Sequence, residues 1–328
     1  MQPYAAGGYT RVRSGRGFRY LDGEGNALPA EERARAEALV IPPAWTNVWI
    51  AERPNAHILA VGVDDAGRRQ YIYHPQWRAA RDSVKFERAR ALAAALPAAR
   101  ARVTRDLSTE GLGRDRVLAG SFRMLDLVAV RVGAEQYFEA NGSFGLSTLL
   151  VRHVKLDGDV IRLAFPAKSG QHMRAEVQDT PLATISAELL RRSPRSRFLA
   201  WQEAGRFRAL SGAQINDYVR GATGGEFTAK DFRTLRGTIA AAMSLAQSGP
   251  ATTERERKRA LREAFIAASD TLGNTPAIAK NSYVDPAVID HFLAGRTMPL
   301  KGTPENALLA LLSDEEEPVV PPDTADLA

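Results

Sequence analysis

The sequence predicts an α+β chain, with a small β-rich N-terminal domain over residues 1–76 and a larger, mainly α-helical domain over 77–312. Three observations predict it. Aromatic and β-branched runs punctuated by Asp-Gly and Gly-Asn turns fill the first segment. Composition changes to arginine and alanine at His74–Trp77. Further on, three strand-like runs joined by tight turns interrupt the helical pattern and predict one antiparallel sheet.

The N-terminal elements come first. GFRYLDGEGNAL, residues 17–28, places two aromatics before the turn pairs Asp22-Gly23 and Gly25-Asn26. WTNVWIAE and NAHILAVGVDDAGRRQYIYHP read as strands, the second folding back near Asp64–Gly67. From Trp77 the pattern is helical, and KFERARALAAALPAARARV is interrupted at Pro97. RDRVLAGSFRMLDLVAVRVG reads as a buried helix ending at Gly133.

The three strand candidates are GLSTLLVRHVKL, DVIRLAFPA and HMRAEVQD, with turns at Asp157-Gly158 and Lys168-Ser169-Gly170. Helices are expected at about 182–193, 211–221, 229–247, 254–271 and 286–294. Residues 313–328 carry six acids and no lysine or arginine, which reads as a disordered tail.

Composition narrows the chemistry. The 328 residues are 45% apolar, enough for a sizeable core. No run of about 18 apolar residues is present, so no membrane span is expected. The start lacks the apolar centre of a secretory signal, and a cytoplasmic chain is expected. Zero cysteines exclude disulfides and a thiolate nucleophile. The five histidines are scattered without ligand spacing, so no metal site is expected. No phosphate-cradling glycine loop with its lysine occurs, which argues against ATP use. The net charge of +6, despite the acidic tail, fits either a polyanionic partner or a solvated basic face.

Arginine, lysine and tyrosine remain as reactive groups. In TAKDFRTLRG, Thr228 and Asp231 form a capping-box-like pair that starts a helix. Lys230 and Arg233 then share its first turn, either as a phosphate site at the helix N-terminus or as an exposed basic end. Lys168 sits at a hairpin tip, an ordinary turn lysine or one poised to donate a proton. Arg131, beside an apolar run, needs a partner, either a structural carboxylate or a ligand phosphate. On a strand, Tyr71 and Tyr73 share a face, packed inward or laid on a nucleic-acid groove with Gln70 able to read adenine. In NTPAIAKNSYVDP, Thr275-Pro276 caps a short helix that should break near Lys280–Ser282, just before Tyr283.

Seven segments occur together in one order: IPPAWTNVWI, QYIYHPQWR, VRVGAEQY, GLSTLL, AFPAKSG, KDFRTLRG and NTPAIAKNSYVDP. As an ordered set, covering roughly residues 9 to 300, they resemble the type IB DNA topoisomerases of the poxvirus-like and bacterial branch. The resemblance implies a monomer whose two lobes clamp duplex DNA, with no cofactor, metal or nucleotide. It implies a catalytic set of Arg131, Lys168, Arg233, Asn274 and the nucleophile Tyr283. It also implies DNA contacts by Gln70, Tyr71, Tyr73, Tyr137 and Lys230. The poxvirus enzymes carry histidine where this chain has Asn274, so that group need only stabilise charge, and Lys168 is implied as general acid. Ala134 replaces a residue that tends to be basic there. The tyrosine recombinases share this chemistry, but have a helical N-terminal domain and usually a histidine where this chain has Lys230. A non-catalytic, DNA-coating protein is the alternative from another class.

Overall fold

The computed structural model describes residues 3–5, 7–133, 135, 138 and 142–313. Ala134, Tyr137 and the acidic tail past Ser313 lie outside the described residues. The chain divides into two compact units, Met1–Val84 and Lys85–Ala328.

The first unit is built on a five-stranded antiparallel sheet in the order β2-β1-β3-β4-β5. Its strands are β1 (Gly8–Ser14), β2 (Gly17–Leu21), β3 (Thr46–Ala51), β4 (Ile58–Val63) and β5 (Arg69–Tyr73). Turn chemistry sets the registers. Asp64 accepts from the backbone N–H groups of Ala66 and Arg68, closing the β4–β5 hairpin at the expected place. Hydrogen bonds from the Arg68 side chain and backbone hold the Asp64 carboxyl down at about 2. One element was not expected here: helix α1 (Ala30–Ala38), made of alanine, glutamate and arginine. It packs Ala36 against Ile41, Val48, Ile50 and Ala60. Its alanines alternate with charges, so no broad apolar stripe announces it.

The polypeptide passes between the units within α2 (Pro75–Leu107). This helix runs unbroken through Pro97, contrary to the expected interruption. Pro97 is exposed, while Leu92, Ala93, Leu96, Ala99 and Val103 on either side are buried. Burial of that stripe outweighs the roughly 3 kcal/mol an interior proline costs.

The second unit adds α3 (Arg114–Val128), α4 (Thr180–Leu190), α5 (Gly212–Thr223), α6 (Ala229–Ser248), α7 (Glu254–Leu272), α8 (Pro276–Ser282), α9 (Pro286–Leu293) and α10 (Pro304–Ser313), whose buried side chains share one core with those of α2. Phe122 of α3 meets Phe232 of α6 edge to face, with ring centres 5.2 Å apart. Both rings are fully buried, so truncating either would cost about 3–5 kcal/mol. The three-stranded sheet runs β6 (Val154–Asp157), β7 (Val160–Pro166), β8 (His172–Gln178), all antiparallel. The first strand is shorter than expected, because Leu146–Thr148 and Val151–His153 form single 3-10 turns. A second hairpin, β9 (Ala200–Glu203) with β10 (Arg206–Ala209), was not anticipated. No helix of the described residues is long and apolar enough to cross a membrane.

Candidate active site

Helix α3 ends at Val128, five residues before the expected Gly133. Ala129 leaves it in the left-handed region at φ 52°, its N–H bonded to the carbonyl of Leu125. The chain beyond is extended and tied to a second segment: Leu146 N–H donates to Arg131 O at 2.8 Å, and Ser147 N–H to Val132 O at 2.7 Å. These ties use backbone groups that a continuing helix would have consumed. Close approach of the two segments requires glycine on both sides. A Cβ on Gly145 would lie 2.5 Å from the Cα of Gly133. Arg131 is thus presented from a short, doubly anchored segment.

Arg233 lies in the second turn of α6. Thr228 opens that helix, and Asp231 accepts its N–H at 2.8 Å, as the capping pair predicts. Lys230 is exposed, whereas Arg233 is only 3% exposed. One terminal nitrogen of Arg233 donates to Ala129 O at 2.6 Å and the other to Leu272 O at 3.0 Å, while its Nε has no partner among the described residues. Burial, and then the charge of Arg131, pull its pKa below the usual arginine value.

Tyr283 caps the C-terminus of α8, with φ −134° and its N–H on Ala279 O. The short helix starts at Thr275-Pro276 and stops at Ser282, so the break falls where the sequence places it. Thr238 on α6 locks the residue: its hydroxyl donates to Tyr283 O at 2.9 Å and accepts from Asp285 N–H at 3.1 Å. Gly237 leaves room for this, since a Cβ there would stand 3.0 Å from the Tyr283 Cβ. Asp285 caps α9 through Ala287 N–H and pairs with Arg90 at 3.1 Å. Burial by itself raises the Tyr283 phenol. The guanidinium of Arg233, and then that of Arg131, more than reverse this, leaving the phenol below its ordinary value.

Asn274 lies between α7 and α8, its N–H bonded to Ser269 O at 3.1 Å. Both polar atoms of its side chain are buried and unpartnered among the described residues. A buried amide with neither donor nor acceptor satisfied costs about 1–3 kcal/mol per group unless a ligand completes it. Lys168 occupies the tip between β7 and β8 and is exposed. The same hairpin contributes Phe165, Ala167 and Met173 to a small hollow whose other walls include Arg131, Arg233, Val130 and Phe144.

The structure therefore gathers Arg131, Arg233 and Tyr283, with Asn274 two residues past the Arg233 acceptor Leu272. Lys168 flanks the hollow beside Ala167. Such an arrangement can hold an oxyanion against two guanidiniums next to a phenol oxygen.

The remaining candidates lie elsewhere. In the first unit Tyr71 is 41% exposed and stacks on Tyr73 at 5.8 Å, and Tyr73 stacks on Trp77 at 4.8 Å. The Gln70 amide donates to Asp64 at 2.9 Å. Sequence reasoning overlooked Thr238 and Arg90, which carry no local signal of their use, and Asp285, whose place before Pro286 at a helix start was one.

Comparison with known proteins gives three findings. Residues 74–292 match the family model of the eukaryotic DNA topoisomerase I catalytic core. Residues 17–64 match that of the bacterial DNA topoisomerase IB N-terminal domain. The DNA topoisomerase 1B of Acanthamoeba polyphaga mimivirus is 31% identical over 285 residues, covering 84% of this chain and 85% of that one.

Proposed function

Because the chain belongs to the type IB DNA topoisomerases, we propose that it relaxes supercoiled duplex DNA through a transient 3′-phosphotyrosyl bond at Tyr283. The observation that carries this reading is the phenol of Tyr283 beside the buried guanidinium of Arg233, drawn below its ordinary pKa.

In this mechanism the Tyr283 phenol releases its proton to water and its oxygen attacks a backbone phosphorus. The new O–P bond forms as the bond from phosphorus to the 5′ oxygen breaks. That oxygen takes the electron pair and receives a proton from Lys168. Arg131 and Arg233 hold the non-bridging oxygens while negative charge grows on them, and the Asn274 amide donates to one of them. The buried, unpartnered amide of Asn274 supports that role. Resealing runs the same steps backwards: the 5′ hydroxyl attacks and Tyr283 leaves. The ester keeps the energy of the bond it replaces, so no ATP is consumed, and arginines take the place of metal ions.

In the open state the downstream duplex swivels and loses supercoils of either sign. Lys230, Gln70, Tyr71, Tyr73 and Tyr137 are the proposed DNA contacts, with Gln70 exchanging its bond to Asp64 for a base edge. All five catalytic candidates belong to one unit of one chain, so a monomer suffices. Binding should weaken steeply with salt, as counterions are released.

Plasmid relaxation in EDTA without ATP tests the proposal, followed by trapping and mapping of the covalent adduct. Wild type should relax the plasmid and carry the adduct on Tyr283, and Tyr283→Phe should bind the plasmid without relaxing it. Relaxation by Tyr283→Phe at the wild-type rate would sink the assignment.

A further inference from the structure

One turn along α6 from Arg233, Arg236 belongs to a second set of charges. Asp126, in the last turn of α3, receives Arg100 from α2 at 2.7 and 3.0 Å and Arg236 from α6 at 2.6 Å. Glu305, at the start of α10, receives the same two guanidiniums at 2.6 and 3.1 Å. The carboxylates are buried, with side chains 2% and 4% exposed. Two positive and two negative groups make a neutral quartet. Burial raises both carboxyls, yet the arginines, Arg100 foremost, hold each below the usual carboxylate range.

The quartet is joined to the catalytic turn by backbone bonds. Arg236 also donates through Nε to the Asp126 carbonyl at 2.6 Å. Arg233, one turn earlier on the same helix, donates to the Ala129 carbonyl. Arginines three residues apart thus grip the α3 exit at two carbonyls three residues apart, immediately before Arg131. Without Glu305, Arg236 and Arg100 would share one carboxylate in a buried place. Each would compete for Asp126, and the grip on the Asp126 carbonyl would loosen.

We infer that Glu305 is a positioning residue for strand cleavage, closing the quartet that fixes the turn from which Arg131 reaches the scissile phosphate. Helix α10 is then part of the catalytic apparatus, although it touches no reacting atom. This rests on the proposed role of Arg131 and Arg233 as phosphate ligands.

The test compares wild type, Glu305→Gln and Glu305→Asp in single-turnover cleavage of a duplex oligonucleotide, at a temperature where circular dichroism shows all three folded. A second substrate carries a methylphosphonate at the scissile position, where one charged oxygen is replaced by a methyl group and less arginine stabilisation is needed. Glu305→Gln should cleave the phosphodiester about tenfold or more slowly, with DNA affinity within about twofold of wild type. On the methylphosphonate its deficit should shrink to about threefold or less, and Glu305→Asp should recover most of the rate on the phosphodiester. An unaltered rate, or equal deficits on both substrates, overturns the inference, because a merely structural loss does not distinguish the two phosphates. A wild-type chain that forms no adduct brings down the proposed function and this inference with it. A wild type that cleaves beside a Glu305→Gln that cleaves equally fast overturns the inference alone.

Discussion

The guanidinium carbon of Arg233 stands 5.0 Å from the centre of the Tyr283 ring. Two backbone carbonyls, Ala129 O and Leu272 O, hold that guanidinium in place, so it cannot swing out to solvent. A fixed cation at this distance favours the phenolate at no reorganisation cost when a phosphate arrives.

A pH dependence follows from the depressed Tyr283 phenol. The cleavage rate should rise with pH and level off at an inflection below the ordinary phenol value of about 10. Arg131→Ala removes one of the two charges that lower it, so its inflection should move upward. Single-turnover rates across pH decide this, and an inflection that stays put or falls contradicts the electrostatic account.

Lys168→Ala should slow cleavage by about 10²–10⁴-fold, the usual worth of a general acid, while leaving DNA affinity nearly intact. A substrate with sulfur at the 5′ bridging position supplies a leaving group that needs no proton. The variant should cleave that substrate at close to the wild-type rate. A large affinity loss, or a deficit of equal size on the sulfur substrate, would mark Lys168 as a phosphate contact instead.

Gly145→Ala should lower stability and activity together. Its Cβ would fall 2.5 Å from backbone atoms of Gly133, and forcing the segments apart costs about 1–3 kcal/mol. For a unit of this size that is a Tm drop of roughly 2–4 °C per kcal/mol, with a further loss in cleavage rate as Arg131 shifts. Gly23→Ala is the control: it is exposed, its φ lies outside the left-handed region and nothing among the described residues lies within 4 Å of the added Cβ, so it should change neither.

Acid stability should report the quartet. Asp126 and Glu305 are both depressed in the folded chain. Their contribution is therefore complete above the unfolded values of about 3.9 and 4.3, and is lost as pH falls through the lower folded ones. Urea midpoints should drop in that window for wild type and less steeply for Glu305→Gln. At neutral pH the variant should be about 3 kcal/mol less stable, since it leaves the half-buried Arg100 and Arg236 one carboxylate between them. Parallel slopes for the two chains would show that Glu305 is not part of the acid response.

The amino-acid sequence by itself determined the features that depend on neighbours a few residues apart. The α+β class, the capped start of α6 at Thr228, the Asp64 hairpin and the stop of α8 before Tyr283 were all legible. Each rests on a side chain serving backbone groups two to four positions away, or on a hydrophobic period, and such rules hold before the chain folds. Where long-range burial competes with local preference, the local reading failed. Pro97 stays inside α2 because buried residues flank it, and α3 stops at Val128 because residues 131 and 132 bond to 146 and 147.

Tertiary structure alone decided the environment of the reactive groups. Nothing within TAKDFRTLRG distinguishes exposed Lys230 from buried Arg233. Only packing against the α3 exit and the end of α7 makes Arg233 a fixed, partly desolvated cation. The Thr238 lock on Tyr283 and the quartet closed by Glu305 join residues 26 to 205 positions apart. Energies of this kind depend on distance and solvent exclusion in the folded state, and a linear sequence records neither.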